Sequence, residues 1–101
     1  MISVRGDITV SQNTKEEILD AAKELLEAML RMNRLELDQI ISILFTATKD
    51  LDRAYPAAAA RDMGLTSAGL MCAQEMNVTG SLEKCLRALL VADCDQRQDQ
   101  A

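Results

Sequence analysis

One long amphipathic segment limits the folds that this sequence can adopt. Thr14-Lys15-Glu16-Glu17 is a capping box, in which the Thr hydroxyl and the Glu side chain satisfy free amides at a helix start. Apolar residues then keep helical spacing up to about Asn33, namely Ile18, Leu19, Ala22, Leu25, Leu26, Met29 and Leu30. We predict a helix over this stretch, with Asn33 as its left-handed cap.

Short β-branched segments lie on both sides of this helix. The segment from Ile2 to Val10 alternates loosely and predicts a strand, interrupted at Gly6, from which Arg5 projects. The run from Ile40 to Thr46 is mostly apolar and too short for a helix, so it predicts a buried strand. The stretch from Thr66 to Gln74 predicts a third strand on weaker propensity.

The second half of the chain gives less uniform signals. Pro56 stands at a first helical position before the helix-forming run from Ala57 to Ala60, and Gly64 ends that helix. Residues 77–81 predict a turn. Residues 81–95 fit a helix by spacing and a buried strand by their apolar run, and propensity alone favours the helix. Residues 96–101 form a polar tail.

The length and composition predict one small domain over residues 1–101. A chain of 101 residues has no room for a second domain. Its core must be built from small aliphatic side chains, because Phe45 and Tyr55 are its only aromatic residues. Such a core favours oligomerisation.

Charge and cysteine content exclude several classes of function. The net charge of −5 opposes attraction to nucleic acid or to an anionic membrane, so an anionic ligand must be captured locally. No apolar run is long enough to span a bilayer. Cys72, Cys85 and Cys94 form no Cys-x-x-Cys pair and the chain has no His, which argues against a zinc site and against a Ser-His or Cys-His nucleophile, so we expect no metal and no cofactor. We expect reduced cysteines and a cytoplasmic protein.

Several blocks of the sequence resemble one known family. In chain order they are Val4-Arg5-Gly6, the capped helix start from Thr14 to Ile18, Phe45 to Leu51, Tyr55-Pro56-Ala57 with Ala59 to Arg61, Met71 to Met76, Val78 to Leu82, and Lys84-Cys85-Leu86-Arg87. Together they resemble the small trimeric bacterial chorismate mutases of mixed α/β type. The resemblance covers essentially the whole chain, and its strength lies in the order and spacing of the blocks.

The resemblance implies an α+β fold in which a mixed β-sheet is backed by helices. It also implies a homotrimer with a barrel-like core and one active site at each subunit interface. In this family the segment matching residues 82–93 is a strand, against the helix that propensity favours. The implied activity is the rearrangement of chorismate to prephenate in aromatic amino acid biosynthesis, without a cofactor.

The chemistry of that reaction explains which residues a site would need. Chorismate carries two carboxylates and rearranges in a concerted pericyclic step that needs no proton transfer, so a site can work by fixing the reactive conformer and placing cationic donors where charge develops. By resemblance, Arg87 contacts the ether oxygen and a carboxylate, Arg5 binds a carboxylate, and Glu75 with the Cys72 region holds the ring hydroxyl. Arginine suits both tasks because its guanidinium is always charged and bidentate.

The resemblance also suggests a set of substrate-binding residues. Tyr55 and Ala57 would line the pocket wall, Arg61 would sit near the entrance, and the remaining members are Leu70, Met71 and Cys72. Without the resemblance, an Arg in a strand of an acidic protein is most often a solvated or salt-bridged surface residue, and Cys72 reads as a small buried apolar residue.

The sequence departs from the family pattern in two respects. Asp7 and Ala58 stand where the family tends to have different residue types. Family members also continue beyond the region matching residues 98–100 into a segment whose Tyr contacts a substrate carboxylate, and this sequence shows no such segment, although Arg97 is a cation near that end. Two alternatives therefore stay open: a non-catalytic trimeric remnant or ligand-binding protein of the same fold, and an imine or enamine deaminase of related architecture.

Overall fold

A mixed four-stranded sheet carries two helices on one of its faces. The structure, a computed structural model, describes residues 1–100. Its strands are β1 (Ile2–Thr9), β2 (Ile40–Ala47), β3 (Gly69–Gln74) and β4 (Cys85–Ala92), and its helices are α1 (Lys15–Met32) and α2 (Ala57–Asp62). The strand order is β1-β4-β2-β3, in which β2 and β3 are parallel and the other pairs are antiparallel. The predicted α+β class with a mixed sheet backed by helices is confirmed.

The two faces of the sheet differ because side chains alternate along each strand. Ile43 and Phe45 of β2 and Leu86 and Leu90 of β4 are fully buried on the face that α1 and α2 cover. The residues between them along each strand, such as Arg87, point to the second face. None of the described elements packs on that second face, which we call the open face.

The start of α1 forms half of the predicted capping box. The Thr14 hydroxyl accepts a hydrogen bond from the backbone N–H of Glu17 at 3.1 Å. The reciprocal bond is not formed, because the Glu17 carboxylate accepts instead from the Ser11 hydroxyl at 2.9 Å. The helix start is therefore fixed by Thr14, and Glu17 ties the preceding turn to it.

The end of α1 corrects the predicted cap. Asn33 has a φ of −108°, and the left-handed residue is Arg34, with a φ of 54°. The N–H of Leu35 reaches back to the carbonyl of Leu30 at 2.9 Å, as in a Schellman motif. Asn33 contributes differently, since its side-chain amide donates to the carbonyl of Met29 at 2.9 Å.

Gly6 does not interrupt β1, contrary to the sequence prediction. The strand runs through it with regular pairing to β4. A Cβ at Gly6 would lie 3.0 Å from both Leu25 Cδ1 and Met29 Sδ. The missing side chain thus allows α1 to pack close to β1, and close approach explains the glycine better than a break does.

The segment from Cys85 to Ala92 is a strand, so the helix favoured by propensity is wrong and the family resemblance is right. β4 lies between β1 and β2 and pairs along its length with both. Hydrogen bonding to a strand on each side stabilises the extended backbone by more than the small helix propensities of these residues favour a helix. The third strand is also confirmed, although it begins at Gly69 and not at Thr66.

The segment predicted as a polar tail contacts the sheet through Gln98. The side-chain amide of Gln98 donates to the carbonyl of Ser3 at 2.8 Å and accepts from its N–H at 2.8 Å. These two bonds satisfy backbone groups of the edge strand β1. Ala101, the last residue of the predicted domain, lies outside the described residues.

We expect Thr14→Ala to lower the free energy of unfolding by about 1 kcal/mol, because it removes the acceptor at the start of α1. Urea unfolding followed by circular dichroism measures this change. An unchanged unfolding midpoint would show that the Thr14 hydroxyl does not stabilise the helix.

Candidate active site

The open face carries a crevice of about 200 Å³ that brings both predicted arginines together. Arg5 and Arg87 line it with Glu75, and Leu44, Thr46, Ala88 and Leu89 complete its lining. We call it the arginine crevice. All three residues predicted to be catalytic, Arg87, Arg5 and Glu75, therefore lie at one place on the protein.

Strand register explains how these distant residues meet. In the β1–β4 ladder Arg5 lies opposite Leu89, and in the β2–β4 ladder Arg87 lies opposite Thr46. Glu75 follows β3 directly, and its N–H donates to the carbonyl of Ala47 at 2.8 Å. All four strands thus supply or position a group at the open face.

Arg87 and Glu75 form a polar cluster with Thr46. The Arg87 Nη1 lies 3.7 Å from Glu75 Oε2, and the Thr46 hydroxyl donates to that same oxygen at 2.8 Å. The side chains of Arg87 and Glu75 are 40% and 27% exposed, so the pair is partly withdrawn from solvent. Because Thr46 holds the Glu75 carboxylate in place, the ion pair with Glu75 in turn positions the guanidinium of Arg87.

One donor of Arg87 has no partner within residues 1–100. Its Nε is buried and makes no hydrogen bond among the described residues. Buried donors are nearly always paired, and an unpaired one indicates a place where a ligand oxygen can bind. The nearby Cys85 side chain raises the pKa of the Arg87 guanidinium most, and the Glu75 carboxylate raises it further. The cation is therefore retained over the whole working pH range.

A second crevice, of about 440 Å³, holds two of the predicted substrate-binding residues. Tyr55 and Cys72 line it with Phe45 and the loop that includes Lys49 and Arg53. We call it the Tyr55 crevice. Phe45 and Cys72 belong to the helix-covered side of the sheet, so this crevice is separate from the arginine crevice within one chain. Tyr55 is 76% exposed there.

The other predicted substrate-binding residues lie outside both crevices. Ala57 is 3% exposed and belongs to the core, and Arg61 is exposed on α2. Leu70 packs against the core from β3. Met71 lies on the open face, in register with Leu44 of the arginine crevice, and is 66% exposed. The assignment of these four residues to substrate binding stays a prediction.

Sequence reasoning missed Thr46, although it is the residue that holds Glu75. A signal was present, because Thr46 is a polar residue at the end of a mostly apolar predicted strand. Its role depends on the distant Glu75, which no local pattern connects to it.

A hydrogen-bonded network at the start of β4 was also missed. The Asp50 carboxylate accepts the N–H of Lys84, at 3.0 Å to Oδ2, and the Thr48 hydroxyl donates to Asp50 Oδ1. The Thr48 hydroxyl oxygen in turn accepts the N–H of Cys85 at 3.0 Å. The hydrogen bond from Thr48 is the largest cause of a lowered pKa for Asp50; desolvation by burial raises that pKa, and the bond from Lys84 lowers it further.

The described part of the chain shows no sign of a metal centre or of a membrane-crossing helix. In residues 1–100 no group of acidic, Cys or His side chains is arranged to hold a metal ion. None of the helices in that range combines the length and the apolar character that a bilayer requires.

Comparison with known proteins gives a consistent result. A family model described as chorismate mutase type I matches residues 1–101. Chorismate mutase AroH of Bacillus subtilis (strain 168) is 40% identical over 98 residues, which is 96% of this chain and 77% of the relative. Chorismate mutase AroH of Thermus thermophilus is also 40% identical over 98 residues, which is 96% of this chain and 80% of the relative.

A solved structure agrees with the sequence comparisons. A chorismate mutase from Clostridium thermocellum superimposes with a TM-score of 0.94 at 51% identity, covering 97% of this chain and 88% of the other. An α+β enzyme with an arginine-lined site is the class that the fold and the crevice define. The chain belongs to the chorismate mutase type I family and is an isomerase.

The ionised Asp50 should contribute to stability in a pH-dependent way. Because its pKa in the folded chain is lower than the ordinary 3.8, the contribution is present above that value and disappears as the pH falls through the folded pKa. We expect Asp50→Asn to be less stable than the unchanged chain at neutral pH, with a difference that shrinks below about pH 4.

Urea unfolding midpoints measured from pH 7 down to acid pH test this expectation. Asp20→Asn, at an exposed position on α1, is a matched control, and its difference should stay small throughout. A destabilisation by Asp50→Asn that is the same at every pH would contradict the assignment.

Proposed function

We propose that the chain carries out its chorismate mutase reaction at sites shared by neighbouring subunits of a homotrimer, with Arg87 and Arg5 as the main cations for chorismate. The observation that carries this proposal is the arginine crevice, where Arg87, Arg5 and Glu75 meet and the Nε of Arg87 finds no partner in the described part of the chain. A dianionic substrate fits such a crevice because both of its carboxylates require cationic donors.

The proposed mechanism relies on binding geometry and electrostatics. The guanidinium of Arg87 donates to the ether oxygen of chorismate and to one carboxylate, and Arg5 binds the other carboxylate. Negative charge grows on the ether oxygen as its bond to carbon breaks, so the interaction with Arg87 strengthens in the transition state. Holding the side chain of chorismate folded over its ring removes much of the entropic part of the barrier. No residue gains or loses a proton.

Glu75 has two roles in this proposal. Its carboxylate accepts a hydrogen bond from the ring hydroxyl of chorismate, and it orients Arg87 through their ion pair. Thr46 keeps the carboxylate in place by donating to Oε2 at 2.8 Å. Chorismate is thereby fixed at the ring hydroxyl as well as at its carboxylates.

The open face supports a trimeric assembly. Leu89 is 41% exposed and Met71 is 66% exposed on it, beside half-buried Leu44, and sheets of this size are stable when such an apolar face is covered. A ring of three copies would cover it in each subunit. It would also allow the Tyr55 crevice of one copy to face the arginine crevice of the next, so that Tyr55 and Cys72 join the site.

We also place the enzyme in the cytoplasm, within aromatic amino acid biosynthesis and without a nucleic-acid or membrane partner. Cys72, Cys85 and Cys94 are free thiols, as is usual in a reducing compartment. The acidic net charge of −5 does not favour a nucleic-acid or membrane surface.

Loss of the ultraviolet absorbance of chorismate tests the activity directly. A chain that binds chorismate without consuming it would be a non-catalytic remnant or ligand-binding protein. A chain that consumes an imine substrate and leaves chorismate unchanged would be a deaminase. The family and the relatives favour the mutase over both alternatives.

Arg87→Lys should lower kcat by about 100-fold or more, because lysine keeps the charge but loses the Nε donor and the forked geometry. Steady-state kinetics with chorismate measure the change. Arg31→Lys, a surface substitution on α1, is the matched control and should leave kcat unchanged. A kcat for Arg87→Lys within a factor of about three of the unchanged chain would contradict the role of Arg87.

Mixing two inactive variants tests whether the site is shared between subunits. Arg87→Ala disables the arginine crevice, and Tyr55→Asp places a negative charge in the Tyr55 crevice, where it repels the dianion. In trimers reassembled from equal amounts of both, about one quarter of the interfaces combine two intact halves, so up to a quarter of the activity should return. Sedimentation should give a mass of about 33 kDa, three times the 11.1 kDa of one chain.

Two results would contradict this assembly. A monomer at assay concentrations that turns over chorismate would exclude a shared site. A confirmed mixed trimer without any recovered activity would show that Tyr55 and Arg87 do not act across one interface.

A further inference from the structure

The chain enters β4 through an uncommon backbone conformation. Lys84, immediately before the strand, has a φ of 48°. Residues with a side chain avoid this left-handed region because their Cβ is crowded there, and glycine is the usual choice. Some other interaction must therefore hold Lys84 in this conformation.

Backbone hydrogen bonds around Lys84 and Cys85 provide that interaction. The Asp50 carboxylate accepts the N–H of Lys84 at 3.0 Å and 3.2 Å, and the carbonyl of Lys84 accepts the N–H of Val10 at 2.8 Å. Thr48 binds both backbone groups of Cys85. The Thr48 hydroxyl accepts the N–H of Cys85 at 3.0 Å, and the N–H of Thr48 donates to the carbonyl of Cys85 at 3.1 Å. Asp50 is the side chain that binds the left-handed residue itself.

We infer that Asp50 is a positioning residue for Arg87: by holding Lys84 in its left-handed conformation it fixes where β4 begins and thus where the guanidinium enters the arginine crevice. Asp50 does not line that crevice, so it acts through the backbone and not on the substrate. The inference rests on the role proposed for Arg87.

Strand geometry makes this effect specific to the site. Arg87 is the third residue after Lys84 and pairs with Asp7 of β1 and Thr46 of β2. Its neighbours Leu86 and Ala88 point into the core. A change of the strand start shifts or rotates the first residues of β4, where Arg87 lies, more than its far end. Displacement of a catalytic group by about 1 Å can cost up to 100-fold in rate.

The experiment compares Asp50→Ala with a matched pair of double variants. Asp50→Ala should lower kcat by about tenfold or more while KM changes less than about threefold, because Arg87 acts mainly in the transition state. Adding Lys84→Gly should restore most of kcat, since glycine adopts the left-handed conformation without crowding. Adding Lys84→Ala removes the same charge without that freedom and should restore nothing.

Two further variants separate positioning from stability. Thr14→Ala removes one side-chain hydrogen bond at the start of α1 and leaves the bonds to Lys84 and Cys85 intact, so it should keep kcat at temperatures below its melting transition. Asp50→Asn retains an oxygen acceptor and should lose less kcat than Asp50→Ala. If Asp50→Ala does not fold, Asp50→Asn with and without Lys84→Gly provides the same comparison.

The outcomes distinguish the inference from the proposed function. If Arg87→Lys keeps its kcat, the proposed function fails and the inference falls with it. If Arg87→Lys loses activity while Asp50→Ala keeps kcat, the inference alone is overturned. It is also overturned if Lys84→Ala rescues Asp50→Ala as well as Lys84→Gly does, or if neither rescues it.

Discussion

The alternation of side chains along β4 is the constraint on which the rest of the structure depends. Leu86 and Leu90 fill the core under the helices, and Arg87 and Leu89 between them face the open side. Because successive side chains of a strand point to opposite faces, the pairing register of β4 decides both which residues face the core and which face the open side. The same pairing that buries the core of this small protein therefore places Arg87, the cation to which we assign the main role in the proposed mechanism.

The arginine crevice offers positive charge to an anionic substrate on a protein whose net charge is negative. A chain with a net charge of −5 repels a dianion at long range, so recognition has to come from short-range contacts. Glu75 and Thr46 hold the guanidinium of Arg87, and its Nε, which has no hydrogen-bond partner within residues 1–100, is the donor that we propose for the substrate. Preorganised donors of this kind lower a barrier because they need no rearrangement during the reaction.

Sequence reasoning reached most of the fold but only part of the site. The helix from Thr14 and the strand from Ile40 followed from local patterns, because capping and apolar periodicity are local signals. β4 was misread by propensity, since its pairing with two distant strands is invisible in a window of residues. Arg5, Glu75 and Arg87 came from the family resemblance. The holding roles of Thr46 and Asp50 depend on contacts with residues far along the chain, and no local pattern could reveal them.

A crystal structure of the protein with bound prephenate would test the central claim most directly. The account predicts that the guanidinium of Arg87, including Nε, donates to oxygens of the ligand, with Arg5 on a carboxylate and Tyr55 of a neighbouring subunit closing the same site. Prephenate bound away from the arginine crevice, or enclosed by a single subunit without any contact to Arg87, would contradict it.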